Sequence, residues 1–266
     1  MPSLPCTSSS GGFRPTVSTE SDSKAEVRTL ALFAGIPASD CASILASANE
    51  KYFRRRENLF AEGDSIFKVL LLTSGVVKLS QVGANGTEVI LRLVRAGEIV
   101  GTFGPCLRGY YNATAQALQP CRALVWEASV FENLQQSFPA LQRNLLHILG
   151  ARLQELELRF REVATEKVAP RVANQLLRLL PQIGRRIDGT VELALSQEEL
   201  AQMTGTTLFT ISRLFSKWSE FGVVQPRREA VVVLNIQRLL ELSLKDGTSL
   251  DPRELAQQQR HGPHAA

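Results

Sequence analysis

A run of hydroxyl, aromatic and basic side chains lies between residues 207 and 217, and two further arginines follow at 227 and 228. Hydroxyl groups donate and accept hydrogen bonds, and a guanidinium group binds phosphate oxygens or the O6 and N7 acceptors of guanine in a bidentate manner. The residues predicted to form a DNA-binding surface are Thr207, Phe209, Thr210, Ser212, Arg213, Lys217, Arg227 and Arg228.

Two short helices joined by a tight turn must position these side chains. Ser196 and Glu199 have the spacing of a capping box, which predicts a first helix from about residue 197. Gly205 can adopt the positive φ of a turn, and Thr206 or Thr207 can cap the second helix. This order is typical of a DNA-binding helix-turn-helix. The predicted buried stripe of its second helix is Leu208, Ile211, Leu214, Phe215 and Trp218.

A basic hairpin is expected directly after the second helix. Residues 223–234 have the pattern strand, turn, strand, with Arg227 and Arg228 at the tip, where they suit phosphate contact. Residues 170–240 carry nine basic and six acidic side chains, an excess of three in a chain whose net charge is +4. Most of the positive excess therefore lies in this segment, as a nucleic-acid reader requires.

Composition restricts the other functions. The 266 residues are 44% hydrophobic and 21% charged, which is typical of a soluble globular protein with one or two domains. No run of 18 apolar residues is present, so we expect a cytoplasmic protein without a membrane partner. We predict neither a catalytic metal site nor an enzyme, because the histidines are few and the cysteines lack CxxC spacing. These residues are His147, His261, His264, Cys6, Cys41, Cys106 and Cys121.

The first half of the chain predicts an antiparallel β-roll or jelly roll. Between residues 52 and 126, short apolar runs at 69–72, 76–82, 89–94 and 123–126 alternate with glycine, and Asn85-Gly86 predicts a hairpin. This stretch contains no histidine, which argues against an enzyme of the cupin type. One or two short helices, interrupted at Gly35-Ile36-Pro37, precede it. Ser129 and Glu132 predict a capped short helix after it, ending at Gln136.

A long helix from about 139 to 166 carries a predicted dimer seam. Its apolar residues recur in steps of three and four, which is the a/d pattern of a coiled coil. With Leu146 at position a, Arg152 falls at g and would meet Glu157 of a second chain in a parallel pair. A core helix within one chain is the competing interpretation. The predicted interface residues are Leu146, Leu149, Leu153, Leu156, Phe160 and Val163.

These elements give an α+β chain with five predicted regions. A disordered tail rich in Ser, Thr, Pro and Gly (1–27) precedes a sensory β-roll (28–138). The dimerisation helix (139–168) connects the roll to a winged helix-turn-helix (169–245), and a flexible tail (246–266) follows.

In this order the elements resemble the Crp/Fnr superfamily of bacterial transcription regulators. The resemblance implies a homodimer that places two recognition helices in successive major grooves of a pseudo-palindromic site, with RNA polymerase as a further partner. The arginine matching Arg213 typically reads a guanine in this family. Phe209 replaces the usual glutamate and Leu208 another polar reader, so the usual half-site is not implied, and an apolar side chain could contact a thymine methyl. The motifs that carry the resemblance are Gly63-Asp64, Ser74-Gly75-Val76-Val77, Gly97-Glu98-Ile99-Val100-Gly101, Leu200-Ala201, Gly205-Thr206 and Ile211-Ser212-Arg213-Leu214.

The family's cyclic-nucleotide cassette is present without its charged groups. Members that bind cyclic AMP use a glutamate for the ribose and an arginine for the cyclic phosphate. An ungapped match places Thr102 and Asn112 at these positions, so the resemblance does not predict cyclic AMP binding; a loop shift that brings in Arg108 is the alternative. The effector is left unidentified, and the predicted pocket residues are Gly101, Thr102, Phe103, Asn112 and Ala113.

Other sensor chemistries have little support from the residues. An iron–sulfur cluster needs four clustered ligands, and Cys6 stands alone in the tail. Haem would need an axial ligand such as His147, for which a helix-surface or interface position is the favoured interpretation. Cys106 and Cys121 could sense redox state, although buried cysteine is the commoner case. The competing function is a small-molecule-binding module without a DNA role.

Overall fold

The computed structural model describes residues 30–101 and 109–244. Predictions for both tails, and for Thr102, Phe103, Cys106 and Arg108, lie outside these residues. The described chain has the expected α+β fold, with an antiparallel β-domain, a long helix and a helical C-terminal domain in that order. The C-terminal domain is called the reader below.

The β-domain, called the roll below, contains two four-stranded sheets with antiparallel pairing. One sheet has the order β1-β8-β3-β6, formed by Asn49–Phe53, Cys121–Glu127, Lys68–Ser74 and Ile99–Val100. The other has the order β2-β7-β4-β5, formed by Asn58–Phe60, Thr114–Ala117, Val76–Val82 and Glu88–Arg95. Val77, Val94 and Val69 are fully buried in the apolar core of the roll.

Short helices close the ends of the roll. A 3-10 helix, Ala31–Phe33, and helix α1, Ala38–Ala46, lie on either side of the break predicted at Gly35-Ile36-Pro37. Trp126 is buried and its indole Nε1 donates a hydrogen bond to the carbonyl of Ile44, 3.0 Å away, which attaches α1 to the sheet.

The capping box predicted at Ser129 is wrong. Helix α2, Ala128–Ser137, begins one residue earlier, and its N-cap residue Glu127 makes no side-chain capping bond. Strand β8 continues directly into this helix, and the amide of Ala128 donates to the carbonyl of Phe67 at 2.8 Å. Ser129 therefore lies inside the first turn of the helix, where its hydroxyl cannot act as the N-cap.

Helix α3, Pro139–Thr165, is the long helix, and it begins with proline at its first position, where a missing N–H costs nothing. The side-chain amide of Asn144 donates to the carbonyls of Leu32 and Ala34, both at 2.9 Å. The start of α3 is therefore fastened to the N-terminal 3-10 helix of the roll.

The reader, residues 168–244, contains more strands than the sequence predicted. Helix α4, Val168–Ile183, leads into β9, Gly184–Ile187, and β10, Thr190–Leu193. Helices α5, Gln197–Thr204, and α6, Leu208–Glu220, precede β11, Val224–Arg227, β12, Ala230–Val233, and α7, Ile236–Leu244. The expected two-stranded wing is thus one half of a four-stranded sheet of order β11-β12-β10-β9.

The hairpin β4–β5 of the roll packs against the reader. Val76, Ile90 and Leu93 belong to the same apolar cluster as the reader's core residues. Polar contacts join the two domains as well, because Gln202 of α5 donates to Glu88 of β5 at 3.2 Å. The Lys78 ammonium lies 2.9 Å from Glu88, and although burial opposes ionisation, hydrogen bonds led by that from Lys78 hold the pKa of Glu88 below its usual value.

Candidate nucleic-acid interface

The first helix of the reader motif begins and ends as its sequence predicts. The Ser196 hydroxyl accepts from the amide of Glu199 at 3.1 Å, and the Glu199 carboxylate accepts from the amide of Ser196 at 2.8 Å. Together these bonds form the capping box. Gly205 has φ of 61°, a left-handed conformation that glycine adopts without steric cost, and it turns the chain into α6.

Helix α6 is capped by Thr207, whose hydroxyl accepts from the amide of Thr210 at 3.2 Å. The two threonine hydroxyls are also 2.9 Å apart. Both side chains are therefore already engaged at the helix start. On the inner face Ile211, Phe215 and Trp218 are buried, and their spacing of four and three fixes which side of α6 faces outward.

The outward side of α6 exposes Ser212, Arg213 and Lys217, and Phe209 is 75% exposed. The prediction that Leu208 is buried is wrong, because its side chain is 50% exposed. Leu208 is the first residue of α6, beyond the end of the buried stripe. Leu214, also assigned to that stripe, is only partly buried at its edge.

Recognition helix and wing meet along one groove of about 540 Å³. The side chains of Arg227 and Arg228, at the tip of the wing, share its lining with residues of α5 and α6. The lining includes Ser196, Gln197, Glu198, Leu208, Ser212 and Pro226. The fold thus brings the two separate sequence signals, the polar helix face and the basic hairpin, to one surface.

Two carboxylates next to the wing were missed by sequence reasoning. Arg227 lies 2.6 Å from Glu192 of β10. Glu229 lies 2.8 Å from Arg55 and 3.5 Å from Arg56, both in the turn between β1 and β2 of the roll. Hydrogen bonding and charge from Arg55 lower the pKa of the Glu229 carboxyl. No local pattern marks these pairs, since their members are 35 or more residues apart along the chain.

Described residues of the effector cassette lie at a tight corner of the roll. Gly101 has φ of 81°, and a Cβ at this position would lie 2.6 Å from the ring of Phe60, so only glycine fits. The carbonyl of Asn112 accepts a hydrogen bond from Gln81, and the Asn112 side chain is exposed. Ala113 is buried. Neither Asn112 nor Ala113 offers a charge to a phosphate.

A cation from the long helix contacts this corner. Arg152 donates to the carbonyls of Ile99 and Gly101, although it was expected to face Glu157 of a second chain. Burial and the neighbouring guanidinium of Arg92 lower the pKa of Arg152 to about 9, so Arg152 keeps its charge at neutral pH. The prediction of an exposed interchain ion pair at Arg152 is therefore wrong, because that side of α3 packs on its own roll.

Arg159 of α3, seven residues after Arg152, forms hydrogen bonds with both the roll and the reader. Its guanidinium donates to the carbonyl of Leu91 in the roll and to that of Met203 in α5, 3.1 Å away. Beyond it, Arg178 of α4 makes a two-pronged ion pair with the buried Glu162 of α3, at 2.6 and 2.8 Å. The arginines at position g of the predicted heptad, Arg152 and Arg159, therefore bind carbonyl groups of their own chain.

The opposite side of α3 leaves an apolar stripe exposed. Phe160 is 75% exposed and Leu156 60%. Leu149 differs, because it is partly buried against the core of its own roll. A stripe of this length on one helix marks an interaction surface. The exposed members of the predicted seam are Leu146, Leu153, Leu156, Phe160 and Val163.

Metal and redox chemistry receive little support from the described residues. In residues 30–101 and 109–244, no three His, Cys, Asp or Glu side chains are grouped so that they could hold a metal ion. The thiol of Cys121 is buried, and this burial raises its pKa, which disfavours the reactive thiolate. His147 lies exposed on α3.

Within residues 30–101 and 109–244, no helix has the length and apolar character needed to cross a membrane.

Two domain families match separate parts of this chain. The cyclic nucleotide-binding domain matches residues 50–138, and the Crp-like helix-turn-helix domain matches residues 170–242. The chain is 24% identical over 210 residues to the CRP-like cAMP-activated global transcriptional regulator of Mycobacterium tuberculosis, covering 78% of this chain and 94% of that relative. It is 28% identical over 195 residues to the Cyclic AMP receptor protein of Thermus thermophilus, covering 73% of this chain and 88% of that relative.

Solved structures share the fold. FixK2 from Bradyrhizobium japonicum superposes with a TM-score of 0.65 at 21% identity, over 73% of this chain and 96% of that protein. The c-di-GMP responsive global regulator CLP of Xanthomonas campestris superposes with a TM-score of 0.67 at 20% identity, over 75% of this chain and all of that protein. At these identities the likeness concerns the architecture alone.

Proposed function

This chain belongs to the Crp/Fnr superfamily of DNA-binding transcription regulators, and we propose that it binds a pseudo-palindromic promoter site as a homodimer. One observation carries this proposal: Leu208 and Ser212 on the exposed side of α6 line the same groove as Arg227 and Arg228 of the wing. A recognition helix in the major groove with a wing beside it makes base and phosphate contacts at once.

Arg213 reads a base in this proposal. Ile211 is buried, and a step of two residues rotates a helix by about 200°, so Arg213 points outward from the reader. An arginine that enters the major groove binds guanine O6 and N7 with two hydrogen bonds. Ser212 and Lys217 flank it on the exposed side, where they suit a base edge and a phosphate respectively.

Arg227 and Arg228 bind phosphate. Both lie at the tip of the wing, beside the groove that α6 borders. Arg227 must exchange its ion pair with Glu192 for a phosphate when DNA arrives. That exchange has a modest cost, because an exposed ion pair contributes only about 0–1 kcal/mol.

The dimer forms through the exposed stripe of α3. Burial of a valine, leucine or phenylalanine side chain contributes about 1.5–3 kcal/mol, so the five exposed seam residues of each chain supply a large driving force. Because Arg152 and Arg159 are held by their own chain, affinity rests on the apolar seam rather than on interchain ion pairs. Pairing of two α3 helices also places two readers on one DNA duplex.

The roll is the signal-receiving domain, and its ligand differs from cyclic AMP. The names of the Mycobacterium and Thermus relatives refer to cyclic AMP. In this chain the ungapped match gives Asn112 at the position where cyclic AMP needs an arginine. Arg152, a nearby cation, already donates hydrogen bonds to the carbonyls of Ile99 and Gly101. Regulation proceeds in the cytoplasm, through RNA polymerase at the promoter, with no catalytic step.

Binding-site selection from random DNA, followed by titration at several salt concentrations, tests the function. We expect a palindromic consensus whose half-sites are about one helical turn apart. We also expect log K to fall linearly with log salt, because phosphate contacts release counterions. A purified protein that selects no sequence and binds DNA without salt dependence would instead support a small-molecule module with no DNA role.

A further inference from the structure

The first turn of α6 carries two adjacent apolar side chains that face outward. Leu208 is 50% exposed and Phe209 is 75% exposed. Single exposed apolar residues are ordinary, but these two begin the helix that the proposed function places in the major groove. In recognition helices of this kind the N-terminal residues contact base edges.

Helical spacing aligns each apolar side chain with a polar one. Phe209 and Arg213 are four residues apart, as are Leu208 and Ser212, so each pair shares a stripe of α6. Leu208 and Ser212 both line the groove beside the wing. The exposed side of the first two turns of α6 is therefore a patchwork of apolar and hydrogen-bonding groups, rather than a uniformly polar one.

The charges around Leu208 and Phe209 indicate which kind of molecule contacts them. Arg227 and Arg228 line the groove together with Leu208 and one acidic residue, Glu198, and Arg213 lies one helical turn beyond Phe209. This excess of positive charge favours a polyanion over an apolar protein surface. In the major groove of DNA the apolar feature is the C5-methyl group of thymine. A leucine or phenylalanine that enters the groove beside an arginine therefore suits thymines next to a guanine.

We propose that Leu208 and Phe209 determine specificity by packing against the C5-methyl groups of thymines in each half-site, next to the guanine bound by Arg213. This inference rests on the proposed function, because it needs α6 to lie in the major groove. It also gives Leu208 a role that its expected place in the buried stripe would not allow.

The test uses the selected site with each thymine replaced in turn by deoxyuridine. This replacement removes one methyl group and leaves every Watson–Crick hydrogen bond in place. Burial of one methyl group contributes about 0.8 kcal/mol, so we expect about fourfold weaker binding for each contacted thymine, and no change at the others. The sensitive positions should lie one or two base pairs from the guanine that Arg213 reads.

Alanine variants identify the side chain responsible. Phe209→Ala and Leu208→Ala should bind thymine and deoxyuridine sites equally well at the position that each side chain contacts. Phe67→Ala removes a phenylalanine that is also largely exposed, on the roll, and should keep the full thymine preference. All three positions lie outside the core, and circular dichroism checks that each variant is folded.

Each result decides a different point. Wild-type protein that binds its selected site but tolerates deoxyuridine everywhere overturns the inference and leaves the proposed function standing. A thymine preference that persists in both the Phe209→Ala and the Leu208→Ala variant also overturns it. Wild-type protein that selects no DNA sequence overturns the proposed function and the inference with it.

Discussion

The reader and the roll keep the plan of their family to different degrees. In the reader, the capping box at Ser196 and the turn at Gly205 are in place, Arg213 is exposed on α6, and α6 and the wing line one groove. In the roll, both sheets and the tight corner at Gly101 are present, whereas the ungapped sequence match predicts Asn112 at the position where members that bind cyclic AMP carry an arginine. A β-roll can therefore keep its packing while its ligand chemistry changes, because the core and the ligand contacts involve different residues.

The largest effect is expected from helix α3, because it connects the roll to the reader and carries the predicted dimer seam. Replacing Leu153 and Leu156 with lysine should give monomers, since two buried charges per chain would face each other across the seam. We expect specific DNA affinity to fall by more than about 100-fold, because each half-site is then bound alone. Analytical ultracentrifugation measures the first effect and fluorescence anisotropy the second.

The matched control places two lysines on a neighbouring exposed flank of the same helix. Ala151→Lys with Gln154→Lys should remain dimeric, because these positions lie outside the seam. A dimer that survives the Leu153 and Leu156 changes would show that α3 does not form the interface.

Within the reader, Arg213→Ala should have the next largest effect. Removal of the bidentate pairing with guanine should cost about 1–3 kcal/mol in each half-site and relax the preference at one base pair. Arg213→Lys keeps the charge but lacks the planar pair of donors, so it should retain non-specific affinity and lose the same preference. Selection that returns an unchanged consensus with Arg213→Ala would assign base reading to another residue.

The wing should respond differently from α6. Arg227→Ala with Arg228→Ala should weaken binding to specific and random DNA alike. The salt slope should decrease by about one unit for each phosphate group that a subunit of the variant leaves unbound. Titrations of both DNAs at four or more salt concentrations measure this.

The partner of Arg227 provides a control of opposite sign. Glu192→Gln removes the carboxylate 2.6 Å from Arg227 and should raise affinity slightly on any sequence. A wing variant that loses sequence preference while keeping its salt slope would reverse the roles assigned to α6 and the wing.

In the roll, the residue before Asn112 should show a purely structural effect. Tyr111 is buried, its hydroxyl donates to the carbonyl of Lys68 at 2.7 Å, and burial raises its pKa from 10.0 to about 12. Because the unfolded chain ionises near pH 10 and the folded chain resists, this contribution to stability is complete below pH 10 and is lost as pH rises through about 12.

Tyr111→Phe removes the titrating group. At neutral pH the variant should be less stable by about 0.5–1.5 kcal/mol, the typical value of one hydrogen bond. Urea unfolding between pH 8 and 11.5 should show this difference shrinking as pH rises. A constant difference over that range would mean that Tyr111 ionises equally easily in both states.

The smallest expected effect is that of cyclic AMP. Calorimetry with the nucleotide should give no binding heat at micromolar concentrations, and DNA affinity should not change, because Asn112 cannot pair with the phosphate. Micromolar binding would mean that another cation holds the phosphate, and Arg108→Ala would then test the loop-shift alternative.

Much of the candidate site could be predicted from short stretches of sequence. Caps, turns and helix faces depend on residues three or four apart, so Ser196, Glu199, Gly205 and Thr207 indicated the helix-turn-helix directly. The strands of the roll followed from short apolar runs separated by glycine, and β4 lies at Val76–Val82 as expected. The groove between α6 and the wing was foreseen only as two separate features, a polar helix face and a basic hairpin.

What sequence spacing alone determined is the order of the main regions along the chain: the roll, the long helix and the helix-turn-helix with its wing. Tertiary structure decided where individual side chains point: Leu208 outward, Arg152 onto the corner at Gly101, and Arg227 onto Glu192. It also joined β9 and β10 to the wing and made the predicted cap at Ser129 unnecessary. The physical reason is range, since periodicity reports which face of an element is apolar, whereas the neighbour across that face comes from a distant part of the chain.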